Sequence, residues 1–219
     1  MDSMLTTDSV VLFEDNEFTF SISGQPLVSD YLSSDQIFGP LREPHRIHLV
    51  RDLRRIRLVL DIDAWGYAAG TRHRARVQHF VNVLNEHAND KDKQSCLRRL
   101  TVVIARDGED YAYDEATENW HQAQKFRPVK KQMFALEPLV FLLEVKEFKV
   151  VSVPEWFAKC LAMCVQCKVG KVTGYRWPRK GVKGTTKKWH QPALDWIEFA
   201  RRNGIDLPEG VDKLWERKK

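Results

Sequence analysis

The stretch Leu53-Arg54-Arg55-Ile56-Arg57-Leu58-Val59-Leu60 recurs 44 positions later as Leu97-Arg98-Arg99-Leu100-Thr101-Val102-Val103-Ile104. A looser third copy, Val145-Lys146-Glu147-Phe148-Lys149-Val150-Val151-Ser152-Val153, follows at an offset of 48. Each copy reads apolar-x-x-apolar-x-apolar. The final part alternates with period two, the mark of a strand with one buried face. The leading apolar residue stands where the chain turns into that strand. Self-similarity of this kind restricts a chain to repeat architectures, and the pattern is that of leucine-rich repeats. The units here are longer than the usual ~20–29 residues of such repeats.

What lies between the copies is helical. Across residues 71–88, Val77, Phe80, Val81, Leu84 and Ala88 fall on one stripe, with polar residues elsewhere. Pro138 is placed to start a short helix through Leu143, because proline suits the first helical position. Pro154 is placed to do the same for a helix through about Cys167. Strand–helix–strand order with such connections implies right-handed crossovers and parallel strands. The expected fold is therefore α/β. It is a short, curved, leucine-rich-repeat-like parallel sheet with helices on one side and capping elements at both ends. The expected divisions are an N-terminal capping segment at 1–52, a strand–helix core at 53–167, and a basic loop with a final helix at 168–219.

The flanks lack the repeat. Residues 10–22 read as an extended segment or hairpin, with Phe18, Phe20 and Ile22 alternating and Asp15-Asn16 as a turn. Residues 26–44 hold little periodicity. Residues 107–128 form a polar insertion containing Tyr111, Tyr113, Trp120 and Phe126, expected to be a long loop with at most one helical turn. Pro192 is expected to open a final helix with Leu194, Ile197 and Ala200 on one face. Asn203-Gly204 should end it in a left-handed cap.

These strands, with Val11-Leu12-Phe13-Glu14-Asp15-Asn16-Glu17-Phe18-Thr19-Phe20 before them and Leu136-Glu137-Pro138-Leu139 and Val145-Lys146-Glu147-Phe148 after, resemble a group of fungal F-box-like proteins. The resemblance spans roughly residues 9–167. The helical F-box-like motif expected before residue 9 has no counterpart in this sequence. An F-box docks a ubiquitin-ligase adaptor, and no residues here map onto that role. The resemblance thus implies the ligand-side module alone, a repeat scaffold that binds another protein.

Charge is unevenly placed. Between Glu155 and Asp195 there is no acid, but there are nine cations: Lys159, Lys168, Lys171, Arg176, Arg179, Lys180, Lys183, Lys187 and Lys188. Removing those nine from the chain's 35 lysines and arginines leaves 26 against 30 acids, so the basic character belongs to one segment. Tyr175, Trp177 and Trp189 interleave with it. Cations that neutralise phosphates, with aromatic platforms for bases, fit nucleic acid or another polyanion. Arg176, Trp177, Arg179, Lys180, Lys183, Lys187, Lys188 and Trp189 would carry that function. A solvated basic loop anchored by its tryptophans uses the same residues. If the chain is instead a protein-binding scaffold, specificity should sit at the outward, variable strand positions Arg57, Thr101 and Lys149.

Other chemistry is weaker in the sequence. Cys160, Cys164 and Cys167 have the CxxxCxxC spacing that can hold an iron–sulfur cluster. They also fall on the apolar face of a helix, where cysteine behaves as a small hydrophobe. His45 and His48, or His73, His79 and His87, do not give the four converging ligands of a zinc site. Asp61 and Asp63 after the first strand copy, and Asp107, Glu109 and Asp110 after the second, form an acidic rim. Paired carboxylates at strand ends can hold Mg²⁺ or act as acid and base, and equally can be a solvated edge. No phosphate-binding glycine loop and no Gly-x-Ser-x-Gly elbow occur. No cofactor, metal or catalytic residue is expected. Clustered cysteines suit a reducing compartment better than a disulfide framework, and no apolar run approaches the ~18 residues of a membrane span. The expectation is an intracellular, cytoplasmic or nuclear, non-catalytic binding protein.

Overall fold

The computed structural model of the chain describes residues 16–23, 50, 52–61, 67–87, 97–105, 121–142, 145–166 and 192–211. Four strands form one sheet: β1 (Glu17–Ser23), β2 (Arg55–Asp61), β3 (Arg99–Ala105) and β4 (Glu147–Val151). Their spatial order is their chain order, and every pairing is parallel. Helix α1 (Tyr67–His87) lies between β2 and β3 in the chain. Helix α2 (His121–Leu136) and a 3-10 helix (Glu137–Phe141) lie between β3 and β4, and α3 (Glu155–Val165) and α4 (Trp196–Arg202) follow β4.

The repeat fixes the register. Ile56 faces Leu100 and Leu100 faces Phe148; Leu58 faces Val102, and Leu60 faces Ile104. The three copies are thus neighbouring strands with homologous residues side by side. The leading apolar residues Leu53, Leu97 and Val145 are all buried. Just after them the ladder begins early: Arg98 N–H donates to Arg54 O at 2.8 Å, and Glu147 N–H to Arg98 O at 2.8 Å. This is the turn into the strand that the spacing anticipates.

Strand alternation divides the sheet into two faces. Phe20, Ile22, Ile56, Leu58, Leu60, Leu100, Val102, Ile104 and Phe148 are buried in one cluster with the helices' apolar side chains. On α1 those are Val77, Phe80, Val81 and Leu84, the stripe read from the sequence. On α3 they are Trp156, Phe157, Cys160, Leu161, Cys164 and Val165. The alternate strand residues point the other way and stay out of this core. Helices therefore cover one face.

Several expectations need correction. Residues 17–23 are extended, one of the two forms the sequence left open, and their place is new: they are a fourth parallel strand, β1, with Phe18 opposite Ile56 and Phe20 opposite Leu58, while residues 10–15 lie outside the described residues. The span 107–128 is not all loop, because α2 begins at His121 and passes through Pro128. Interior proline removes one hydrogen bond and is costly in a helix. Burial of Val129, Met133 and Leu136 on the core decides against that local preference. Residues 106–120 lie outside the described residues. The short helix expected at Pro138 is present as a 3-10 helix, Glu137–Phe141, with the proline in its first turn; it ends two residues before the expected Leu143. The helix expected after Pro154 is found, with Pro154 as its N-cap, ending at Val165 with Gln166 as its C-cap.

The last helix starts at Trp196 rather than Pro192, and one buried carboxylate explains why. Glu137, 2% exposed, accepts from Ala193 N–H at 3.1 Å and Leu194 N–H at 2.7 Å. Those amides are held on Glu137, ahead of the helix. Asp195 then caps α4 by accepting from Glu198 N–H at 3.0 Å. Arg74 on α1 completes the clamp. Its Nη1 donates to Glu137 Oε2 at 2.6 Å and to Phe134 O at 2.7 Å, and its guanidinium lies 4.8 Å from the Phe134 ring centroid. One carboxylate thus ties together α1, the end of α2 and the C-terminal segment. Trp196 then packs edge-on against Phe157 of α3, with centroids 5.2 Å apart. Helix α4 ends as expected: Gly204 takes φ +66°, Gly204 N–H bonds Arg201 O, and Ile205 N–H bonds Ala200 O. That pair of bonds is the Schellman motif, and the left-handed residue in it favours glycine.

Two stability outcomes follow from this packing. Leu58→Ala should cost about 2–5 kcal/mol in urea unfolding, since Leu58 is fully buried. Arg57→Ala, one residue away on the opposite face, should change it by less than about 0.5 kcal/mol. Equal effects at both positions would contradict the assigned faces. Glu137→Ala leaves Arg74 and two amides without their acceptor and should cost roughly 3 kcal/mol. Amide exchange at Ala193 and Leu194 should quicken well beyond that at Leu58.

Candidate functional site: the open face of the sheet

The outward residues of the four strands form rows across the sheet, because the register carries each row straight from strand to strand. The first row is Glu17, Arg55, Arg99 and Glu147. The second is Thr19, Arg57, Thr101 and Lys149, and the third is Ser21, Val59, Val103 and Val151. Neighbouring residues of a row stand about 4.8 Å apart, and successive rows about 6.6 Å.

The second row brings together all three residues that the sequence assigns to partner binding. Arg57, Thr101 and Lys149 are consecutive neighbours on β2, β3 and β4. Thr19 of β1 extends the row and was missed, because β1 was not recognised as a fourth copy. Thr19, Arg57 and Lys149 are exposed and Thr101 is half-buried. The first row contains an ion pair, Arg99 Nε donating to Glu147 Oε2 at 2.6 Å. Both partners are exposed, so the pair adds little stability. It does engage Glu147, two residues before Lys149 on the same strand. Among the described residues no carboxylate forms an ion pair with Arg57 or Lys149.

The third row changes character. Val59, Val103 and Val151 are half-buried, each beside the next. A parallel sheet is ordinarily covered on both faces, so its strands are apolar throughout. Here one face is covered by helices, and the other carries a polar row, a cationic row and an aliphatic row. Period-two reading of each copy contained this signal: Val59 and Val103 hold the same position in their copies.

The other candidates are placed as follows. Arg176, Trp177, Arg179, Lys180, Lys183, Lys187, Lys188 and Trp189 lie outside the described residues. Of the nine-cation run only Lys159 is described; it is exposed on α3 and pairs with Glu155 at 2.8 Å, one turn away. Asp61 ends β2, opposite Ser23 and Ala105. Asp63, Asp107, Glu109 and Asp110 lie outside the described residues, as do His45 and His48. His73 is fully buried on α1 and His79 half-buried. Arg76, also buried there, is held below the usual guanidinium range by burial and then by Arg72.

Cys160 and Cys164 sit one turn apart on the buried side of α3 and are free thiols. Burial pushes the Cys160 thiol far above its ordinary pKa, with Cys164 adding to the shift. A thiol so raised is a core side chain rather than a nucleophile. Cys167 lies outside the described residues. Among the described residues no group of three or more His, Cys, Asp or Glu is placed to hold a metal ion. No helix among them is long and apolar enough to cross a membrane.

Comparison with protein families, with curated proteins and with solved structures finds no match. The resemblance to fungal F-box-like proteins accordingly rests on the quoted motifs alone.

The placement of the thiols is directly measurable. In native protein Cys160 and Cys164 should resist a maleimide for hours and react within minutes in 6 M guanidinium, read by mass spectrometry of the α3 peptide. Rapid native labelling at Cys160 would contradict its burial.

Proposed function

We propose that the chain is a non-catalytic, leucine-rich-repeat-like scaffold that binds another protein through the open face of its sheet. The observation that carries this reading is the second row. Three outward residues of consecutive strands, Arg57, Thr101 and Lys149, stand side by side on the parallel-sheet face away from the described helices, with Arg57 and Lys149 exposed. Repeat proteins of this kind recognise partners through such faces, while their inward residues serve the core. Buried free thiols at Cys160 and Cys164 fit work in a reducing, cytoplasmic or nuclear compartment.

A second reading has its own support in the sequence. The run of cations from Lys168 to Lys188, with Trp177 and Trp189, is what a polyanion-binding segment needs. Nucleic acid is the partner it would take.

One pair of measurements separates them. The full chain is immobilised, and partner capture from host extract is compared with variants of each surface. The scaffold reading expects capture to drop on Arg57→Glu, Thr101→Arg and Lys149→Glu. It also expects capture to persist when Arg179, Lys180, Lys187 and Lys188 are reversed to Glu. Filter binding to mixed RNA and DNA is run alongside at two salt concentrations. Micromolar binding with a slope of about −0.7 to −0.9 per phosphate contact, abolished by the four reversals, would favour the polyanion reading. Capture indifferent to the sheet face would end the scaffold reading.

A further inference from the structure

We infer that the open face takes an extended acidic peptide segment, in which an aspartate or glutamate stands two residues from an aliphatic side chain. The inference rests on the scaffold reading and specifies the chemistry of its partner.

Arg57 and Lys149 flank Thr101 in one row, each a single strand away, so their Cα atoms lie roughly 10 Å apart across β3. Both are exposed, and among the described residues neither has an ion-pair partner. Glu147, in the adjoining row of the same strand as Lys149, is engaged by Arg99. A carboxylate placed above Thr101 would meet the Arg57 guanidinium on one side and the Lys149 ammonium on the other. The Thr101 hydroxyl would donate to it from below. A guanidinium can bind a carboxylate through two parallel N–H donors, so Arg57 suits this task. A basic segment in the same position would be repelled by both cations.

The spacing argument is independent of charge. An extended chain presents same-side residues every two positions, about 6.6 Å apart. That is also the distance from the cationic row to the valine row, because both distances are set by strand geometry. A segment laid along β3 with its acid over Thr101 therefore places its next same-side residue over Val103. There Val59 and Val151 stand to either side. An aliphatic side chain fits that half-buried strip. Running parallel to β3, the segment reads acid-x-aliphatic; running antiparallel, it reads aliphatic-x-acid. A nucleic-acid backbone matches the cations but offers the valine row nothing apolar, and the first row would present it with Glu17 and Glu147.

The test is a display library of random seven-residue peptides, panned on the immobilised full chain and, separately, on the Arg57→Glu/Lys149→Glu double variant. Both substituted residues are exposed, and matching thermal melts confirm that the variant folds. Wild type should enrich peptides with an acid two positions from Val, Ile or Leu, and the double variant should not. In a synthetic, fluorescein-labelled winner, replacing the acid with its amide should weaken binding at least tenfold by anisotropy. Val103→Ser in the protein should weaken it several-fold, and Glu147→Gln should not. Enrichment of basic or purely apolar peptides would overturn the inference, as would acidic peptides that bind the double variant equally well. So would the absence of enrichment, or a labelled dT20 oligonucleotide bound through Arg57 and Lys149. If capture from host extract still depends on Arg57 and Lys149 while the library yields no acid-x-aliphatic peptides, the scaffold reading stands and the peptide inference falls.

Discussion

In a parallel sheet a slip of one residue in any strand moves that strand's whole apolar set to the opposite face. The open-face rows exist only because no such slip occurs across four strands. Register here is pinned from the buried side. Ile56, Leu100 and Phe148 must all enter the core together, as must Leu58 and Val102. The apolar residue that leads each copy, Leu53, Leu97 or Val145, anchors the strand entry as well. Once those positions are fixed, Arg57, Thr101 and Lys149 have no choice but to align. The second row is thus aligned by core packing on the opposite face of the same strands.

Glu137 plays the corresponding part for the C-terminal segment. A carboxylate 2% exposed must be answered by donors, and among the described residues Arg74, Ala193 and Leu194 supply them. Because those donors come from separate parts of the chain, the group specifies where α4 docks. Apolar burial of Trp196 and Phe199 alone would tolerate several poses. Arg74 itself is oriented by Phe134, through its ring and its carbonyl. Such buried pairs are weak evidence of net stability, and positional specificity is the better account of this one.

The sequence was legible where a pattern had a period. Three strands, their parallel pairing and the inward side of each follow from the apolar-x-x-apolar-x-apolar copies, and the α1 stripe follows from helical spacing. Legibility failed where local signals opposed tertiary burial. Pro128 reads as a helix boundary, yet α2 runs through it because Val129, Met133 and Leu136 are drawn into the core. Pro192 reads as a helix start, yet the two amides that follow it are claimed by Glu137. No sequence window contains that contact, since its partners lie 56 and 57 residues apart. Strand β1 was legible as extended, but its place beside β2 was not. Its Phe18-x-Phe20-x-Ile22 alternation is that of the copies without their leading residues. Of the candidate site, the members of the cationic row could be named from their strand positions. The valine row beside it carried the same period and went unread, because aliphatic residues in a strand are by default assigned to a core.

That default matters for what kind of surface this is. A strand residue on the face away from the described helices is less constrained by packing than an inward one, so its identity is freer to serve recognition. Inward substitutions are felt by every neighbour in a close-packed core, whereas outward ones alter only the row they belong to. Stability and specificity are thereby carried by alternate residues of the same strands. Half-buried valines in the third row cost little to the fold and offer apolar area to a partner. Polar residues there would be the simpler choice for a face meant only for water. An apolar segment laid across the aliphatic row would use that area, and Arg57 and Lys149 one row away, which form no ion pair among the described residues, would favour an acidic one.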